Sequence, residues 1–188
     1  MIIVLEGLDN CGKNTIANKL CSKYIDFHKI DFPDYNSDFG QFIKKSLYNE
    51  GFSPIALQLL FSSERLSKAQ YLKELTRESI IITTRYSYSA RAYGAARGIN
   101  RHLLSLLEED MPRPNLKIFL KITPAMSLLR SKSLDIIERD ITLLAAVNKE
   151  YDKILCEDGD WHIVDASQNI DKVFNDVENI IRATLNHL

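Results

Sequence analysis

The run Gly7-Leu-Asp-Asn-Cys-Gly-Lys13 follows directly on the apolar stretch Ile2–Leu5, and it constrains the chain more than any other feature. The spacing G-x-x-x-x-G-K between a strand and a helix is that of a phosphate-binding loop. Gly7 and Gly12 let the backbone wrap closely, so that N–H groups converge on an anion, and the helix N-terminus adds the positive end of its dipole. Lys13 is then expected to reach the β- and γ-phosphates of a nucleotide, with Gly7, Asn10, Cys11, Gly12, Asn14 and Thr15 lining the same cradle. One position departs from the pattern. Asn14 stands where a Ser or Thr hydroxyl ordinarily ligates Mg²⁺. An amide oxygen can ligate that ion too, without the hydroxyl's small size or its proton. Asn14 is therefore the candidate metal residue, and Thr15, about 100° further round the helix, is expected to touch a phosphate.

The remainder of the chain alternates short apolar runs with longer helical patterns, as in a parallel sheet covered on both faces. Strands are expected at Ile2–Leu5, Phe27–Ile30, Ile80–Thr83, Leu116–Ile122 and His162–Val164. Helices are expected over roughly 13–24, 39–49, 54–75, 87–97, 100–109, 124–131, 136–157 and 169–187. No repeat, low-complexity tract or linker interrupts this order, so residues 1–188 read as one α/β domain with its site at the carboxyl ends of the strands.

Composition excludes several classes. Twenty-four Lys and Arg against 25 Asp and Glu leave a net charge of −1, so no bulk field favours nucleic acid or an anionic membrane. No apolar run reaches the ~20 residues that span a bilayer. The start lacks a basic segment and meets Glu6 early, unlike a secretory leader. Cys11, Cys21 and Cys156 form neither a metal-ligand spacing nor a disulfide framework. A cytoplasmic protein with reduced thiols is the expectation, Cys11 being notable for its place at a helix N-terminus, where a thiol pKa can fall.

Beyond the phosphate loop, ordered motifs over most of the chain resemble those of thymidylate kinases, P-loop nucleoside-monophosphate kinases. Gly7-Leu8-Asp9 is similar to the family's loop, in which the Asp reaches the deoxyribose 3′-hydroxyl. Phe32-Pro33, with Gly40 and Leu47 after it, resembles the F-P-x-R…G…L segment over the monophosphate, with Tyr35 in place of the Arg. Leu60-Phe61-Ser62-Ser63-Glu64-Arg65 resembles L-F-S-A-N-R, in which the Phe stacks on thymine and the Arg touches its edge. Thr84-Arg85-Tyr86, with Ser89, Ala92 and Tyr93, resembles D-R-Y-x-x-S-x-x-A-Y. There Arg85 would clamp the monophosphate, Tyr93 would pack near sugar or base, and Thr84 replaces an Asp that helps organise Mg²⁺. Gly94 replaces a Gln, Arg97-Gly98-Ile99 resembles the loop beyond, and Pro114-Asn115-Leu116 resembles the P-D-L before the fourth strand. Leu134-Asp135-Ile136-Ile137-Glu138 resembles the end of a lid, here about 130–139.

The resemblance implies a three-layer P-loop NTPase fold with a five-stranded parallel sheet and a short lid. It implies ATP-dependent phosphorylation of dTMP to dTDP with Mg²⁺, by a cytoplasmic homodimer that binds neither nucleic acid nor membrane. Catalytic roles would fall to Lys13, Asp9 and Arg85. Since Asn10 takes a loop position that carries an Arg in one branch of the family, lid charge would come from Arg130, Lys132 or Arg139. The acceptor would be held by Asp9, Phe32, Pro33, Tyr35, Phe61, Arg65, Arg85, Ser89 and Tyr93, with Tyr151 helping to close the pocket. Asn14 and Thr84 both change the metal's surroundings. Two alternatives therefore stand beside the first: a nucleotide-binding protein of this fold with lost or weak catalysis and, since Tyr35 and Gly94 alter the acceptor pocket, a kinase for another deoxynucleoside monophosphate.

Overall fold

A computed structural model describes residues 1–48, 51–131 and 140–186. Five parallel strands form one sheet in the order β2-β3-β1-β4-β5: β1 (Ile2–Glu6), β2 (Phe27–Asp31), β3 (Ile80–Thr84), β4 (Leu116–Lys121) and β5 (Trp161–Asp165). Every residue of β1 is buried. That follows from its central place, with helices covering both faces and no side left for polar alternation. The Asn115 side chain fixes its register against β4. Its Oδ1 accepts from the Ile2 N–H at 2.8 Å, and its own N–H donates to the Ile2 carbonyl at 2.9 Å.

Helices over the described residues are α1 (Lys13–Lys23), α2 (Asp38–Leu47), α3 (Pro54–Ser67), α4 (Ala69–Leu75), α5 (Ser87–Ala96), α6 (Arg101–Leu106), α7 (Pro124–Arg130), α8 (Ile141–Asp158) and α9 (Ile170–Leu185). The apolar spacing of α9 does what it predicts: Val173, Val177 and Ile181 are buried, and the helix packs on α1 and β5. All five expected strands form. The single helix expected over 54–75 does not. Lys68 breaks it, donating its N–H to the Arg65 carbonyl in a tight turn, while its ammonium reaches Asp34 at 3.2 Å. Of the helix expected over 136–157, residues 136–139 lie outside the described residues, and α8 runs from Ile141. Asp140 is extended and caps it, accepting from the N–H groups of Thr142 and Leu143.

This topology decides where the site lies. β1 has β3 on one side and β4 on the other, so the chain leaves β1 at the point where the strand order reverses. Loops at the carboxyl ends of the strands diverge there and open a crevice. The loop after β1 carries the G-x-x-x-x-G-K sequence.

Candidate active site

The loop from Gly7 to Gly12 turns tightly under β4. Gly7 has φ +142°, and a Cβ there would come within 2.5 Å of the Leu120 carbonyl oxygen. Both its conformation and its neighbour exclude a side chain. Asn10 also takes a left-handed φ of 59°, which Asn tolerates better than most residues. The far side of the loop is pinned by α7: Ser127 Oγ donates to the Asp9 carbonyl at 2.6 Å, and Asn10 Nδ2 donates to the Ser127 carbonyl at 3.3 Å. Gly12 offers α1 no side-chain cap, and no acidic residue sits in the first turn. The first N–H groups of α1 and its dipole therefore face the loop without a competing anion. Lys13 is buried, and its Nζ donates to the carbonyls of Gly7 and Leu8, each at 2.7 Å. Asn14 and Thr15 are exposed at the helix start, and the Cys11 thiol is buried 3.5 Å from Lys13 Nζ.

A second cluster meets this loop from β3. Arg85 follows the strand with φ +63°, a left-handed conformation that costs about 1–3 kcal/mol in a residue bearing a side chain. Glu6, the last residue of β1, holds the turn in place. Its Oε1 accepts from the N–H groups of Tyr86 (2.7 Å) and Ser89 (3.1 Å), and its Oε2 accepts from the Ser89 and Tyr151 hydroxyls. Tyr86 and Ser89 are the cap and third positions of α5, so a side chain from another strand does the work of a capping box. With its turn fixed, the Arg85 guanidinium pairs with the Asp9 carboxylate and lies 5.6 Å from the centre of the Tyr93 ring. Arg97 approaches the same ring at 5.8 Å.

Burial opposes ionisation of Asp9, but the Arg85 and Lys13 cations outweigh it and hold the carboxyl below its usual value. Burial, reinforced by the neighbouring Asp9 charge, pushes the Tyr93 phenol well up. Two guanidiniums, one ammonium and one carboxylate thus converge where the β1 and β3 ends meet. Such a set suits a substrate that carries a phosphate near a hydroxyl. Because the folded-state pKa of Asp9 lies below the unfolded value of about 3.9, its contribution to stability is complete above that value and is lost as the pH falls through the folded pKa. Asp9→Asn should therefore be less stable than the parent at neutral pH, with the gap closing below about pH 4. Urea unfolding at stepped pH checks this, and a gap that stays constant with pH would refute it.

The expected acceptor residues separate into groups. Phe61 is half-buried on α3, one turn before Arg65, and α3 packs against α5. Arg65 is fully buried and forms a fork with Glu108 just past α6, with Nε to Oε2 at 2.9 Å and Nη2 to Oε1. Only Nη1 is left unbonded to Glu108, so the edge contact expected of Arg65 is reduced to that one nitrogen. Phe32 is spent on the core, with its ring edge-on to Tyr86. Pro33 is half-buried and Tyr35 exposed, and Glu64 Oε1 anchors their segment by accepting from the Asp34 N–H at 2.9 Å. Gly40 abuts this segment so closely that a Cβ would lie 1.9 Å from the Asp34 carbonyl oxygen. The Ser89 and Tyr151 hydroxyls are both committed to Glu6 Oε2, and their oxygens lie 3.1 Å apart. Arg130 donates to the carbonyls of Ala166 and Ser167 after β5, and among the described residues nothing links it to Lys13 or Arg85. Lys132, Arg139 and most of the expected lid lie outside the described residues.

Asn14 and Thr84, flagged separately in the sequence, meet. Thr84 Oγ1 lies 3.0 Å from Asn14 Oδ1 and 2.7 Å from Asp31 Oδ1. A hydroxyl has one proton, and the shorter, charge-assisted contact to Asp31 takes it. With the Asn14 amide turned half a rotation, Nδ2 donates to Thr84 Oγ1 and Oδ1 faces away from it. Amide, hydroxyl and carboxylate are all oxygen donors, and Mg²⁺ is commonly held by one or two carboxylates together with substrate phosphates and water. The donor set fits that ion. Glu6, Asp31 and Glu108 were not singled out by the sequence. Glu6 stands directly before the first glycine, a place that could have marked it, whereas Asp31 and Glu108 carry no local signal.

The sequence profile of the family described as thymidylate kinase matches residues 5–177. The chain is 32% identical over 195 residues to a probable thymidylate kinase of Staphylothermus marinus, covering 99% of this chain and 95% of that protein. It is 29% identical over 187 residues to a thymidylate kinase of Dictyostelium discoideum, covering 96% and 84%. The solved thymidylate kinase of Candida albicans superposes with a TM-score of 0.84 at 29% identity, over all of this chain and 93% of that one.

Proposed function

Because this chain belongs to the thymidylate kinase family, we propose that it transfers the γ-phosphoryl group of ATP to dTMP, giving dTDP and ADP. It does so in the cytoplasm, with Mg²⁺, as a homodimer. The observation that carries this reading is the junction of two sites across the β1–β3 ends. The phosphate loop and Lys13 come from β1, the Arg85 clamp comes from β3, and Asp9 on the loop itself pairs with that clamp.

Phosphoryl transfer asks little covalent work of a protein and much positioning and charge neutralisation. The α1 N–H groups and Lys13 take the donor phosphates. Lys13 exchanges its two carbonyl partners for phosphate oxygens, a stronger and charge-assisted contact. Arg85, flanked by Tyr93 and Arg97, takes the acceptor phosphate, and Asp9 accepts from a sugar hydroxyl. Phe61 offers a face to the base, with Arg65 Nη1 at its edge. Mg²⁺ would be held by Asn14 with phosphate oxygens and water, and when bound it neutralises charge on the transferring group.

In an ADP-release assay with Mg-ATP and a panel of monophosphates, dTMP should be the best acceptor. Absence of turnover with every acceptor would end the reading, and preference for dCMP or dUMP would end the thymine assignment. Arg85→Ala should raise the KM for dTMP about 10- to 100-fold, the worth of a charged hydrogen bond, with a smaller change in kcat. Unchanged kinetics would remove Arg85 from the clamp. The engagement of Arg65 by Glu108 favours one second reading, a looser base edge that accepts other deoxynucleoside monophosphates.

A further inference from the structure

Resting on the kinase reading above, we propose that Asp31 is a metal-organising residue of this enzyme. Its carboxylate, at the end of β2, orders the water shell of the Mg²⁺ held at Asn14, and the Thr84 hydroxyl holds the two residues together. Asp31 and Thr84 are register partners in neighbouring parallel strands, so their side chains share one face of the sheet at its carboxyl end. The Thr84 hydroxyl bridges Asp31 Oδ1 to the Asn14 amide, the side chain at the loop's metal position.

The other acids of the site are committed elsewhere. Asp9 is paired with Arg85, and Glu6 is fully buried under its donors from α5 and α8. Asp31 is the remaining carboxylate tied to Asn14 among the described residues, and its side chain is 40% exposed, open to a hydrated ion. Its Oδ2 pairs with Lys29 at 2.7 Å, a contact between partly exposed groups that a divalent ion can displace. Mg²⁺ loses its waters reluctantly, so a carboxylate that accepts hydrogen bonds from those waters suits the ion as well as a direct ligand does.

The test measures Mn²⁺ binding to the full chain in complex with ADP, by electron paramagnetic resonance of free Mn²⁺, with no turnover involved. Asp31→Asn should weaken Mn²⁺ binding about 10-fold or more, as loss of an outer-shell partner commonly does, while leaving metal-free ADP binding within about twofold. Thr84→Val, which severs the bridge but keeps the carboxylate, should weaken it a few-fold. Asp31→Asn combined with Thr84→Asp, which moves the carboxylate one strand inward, should recover most of the loss. If Asp31→Asn does not fold, Thr84→Val reads the same site with the carboxylate kept. Mn²⁺ affinities equal to the parent in every folded variant would overturn the proposal. The kinase reading fails separately, by absence of phosphoryl transfer in the parent protein, and the Mn²⁺ measurement would still report on Asp31 in that case.

Discussion

Lys13→Met should lower kcat for dTMP phosphorylation by about 10²- to 10³-fold, the range lost when a single preorganised donor to developing charge is removed. The argument comes from where the ammonium sits. It is buried at the base of the loop between β1 and α1, its two oxygen partners are backbone carbonyls of that same loop, and among the described residues no carboxylate touches it. A buried cation bonded only to neutral carbonyls, whose nearest acid Asp9 is paired with Arg85, is incompletely compensated. A phosphate brought within reach therefore gains more from it than it would from a cation already paired with an acid. Methionine keeps the length and most of the volume of the side chain and removes only the charge and its donors. Two carbonyls lose a donor, and one charge no longer has to be buried, so the melting temperature of the protein alone should change little beside the loss of turnover. The rise in melting temperature produced by ATP should shrink at the same time. An ADP-release assay and a thermal melt with and without ATP check both. Retained turnover would remove Lys13 from the chemistry, and a collapse of the unliganded fold would show that its role is structural.

How much of this was legible in the sequence depended on the range of the interaction. The strands are local apolar runs, and all five form where those runs stand. The phosphate loop is likewise local, because its two glycines, its lysine and the preceding strand lie within a dozen residues. Apolar periodicity over 54–75 read as one helix, since the break at Lys68 arises from long-range partners on another loop. Arg65 looked available because Glu108, which occupies its fork, is 43 positions away and just past a different helix. Asn14 and Thr84 were each visible as departures from a motif, but their contact was not. It needs β3 beside β1, and its third member, Asp31, needs β2 beside β3. Residues that a motif names were thus found, and those that fix the motif's geometry from neighbouring strands were not.

Glu6 is the strongest case of that kind, and Glu6→Ala should be the most destabilising single change in the site, by about 4 kcal/mol. The carboxylate accepts from two backbone N–H groups and two hydroxyls, all in a region closed to water. Alanine leaves those donors buried without an acceptor, at about 1–3 kcal/mol for each that finds no substitute. It also leaves the N-terminus of α5 uncapped, because Tyr86 supplies no side-chain cap of its own. For a chain of this length each kcal/mol is worth about 2–4 °C, so the melting temperature should fall by roughly 8–16 °C. The functional consequence travels through one residue. Arg85 sits between the end of β3 and the N–H of Tyr86, and its left-handed φ persists only while that N–H is held. Released, the turn relaxes toward an unstrained conformation and carries the guanidinium away from Asp9. The KM for dTMP should then rise even at temperatures where the variant remains folded, whereas the affinity for ATP, which we propose rests on Lys13 and the α1 N–H groups, should change less. Glu6→Gln keeps one acceptor oxygen and the side-chain volume, and should recover about half of the stability loss. A Glu6→Ala protein that melts like the parent and binds dTMP equally well would show that α5 needs no cap from β1, and that the Arg85 turn is held by something else.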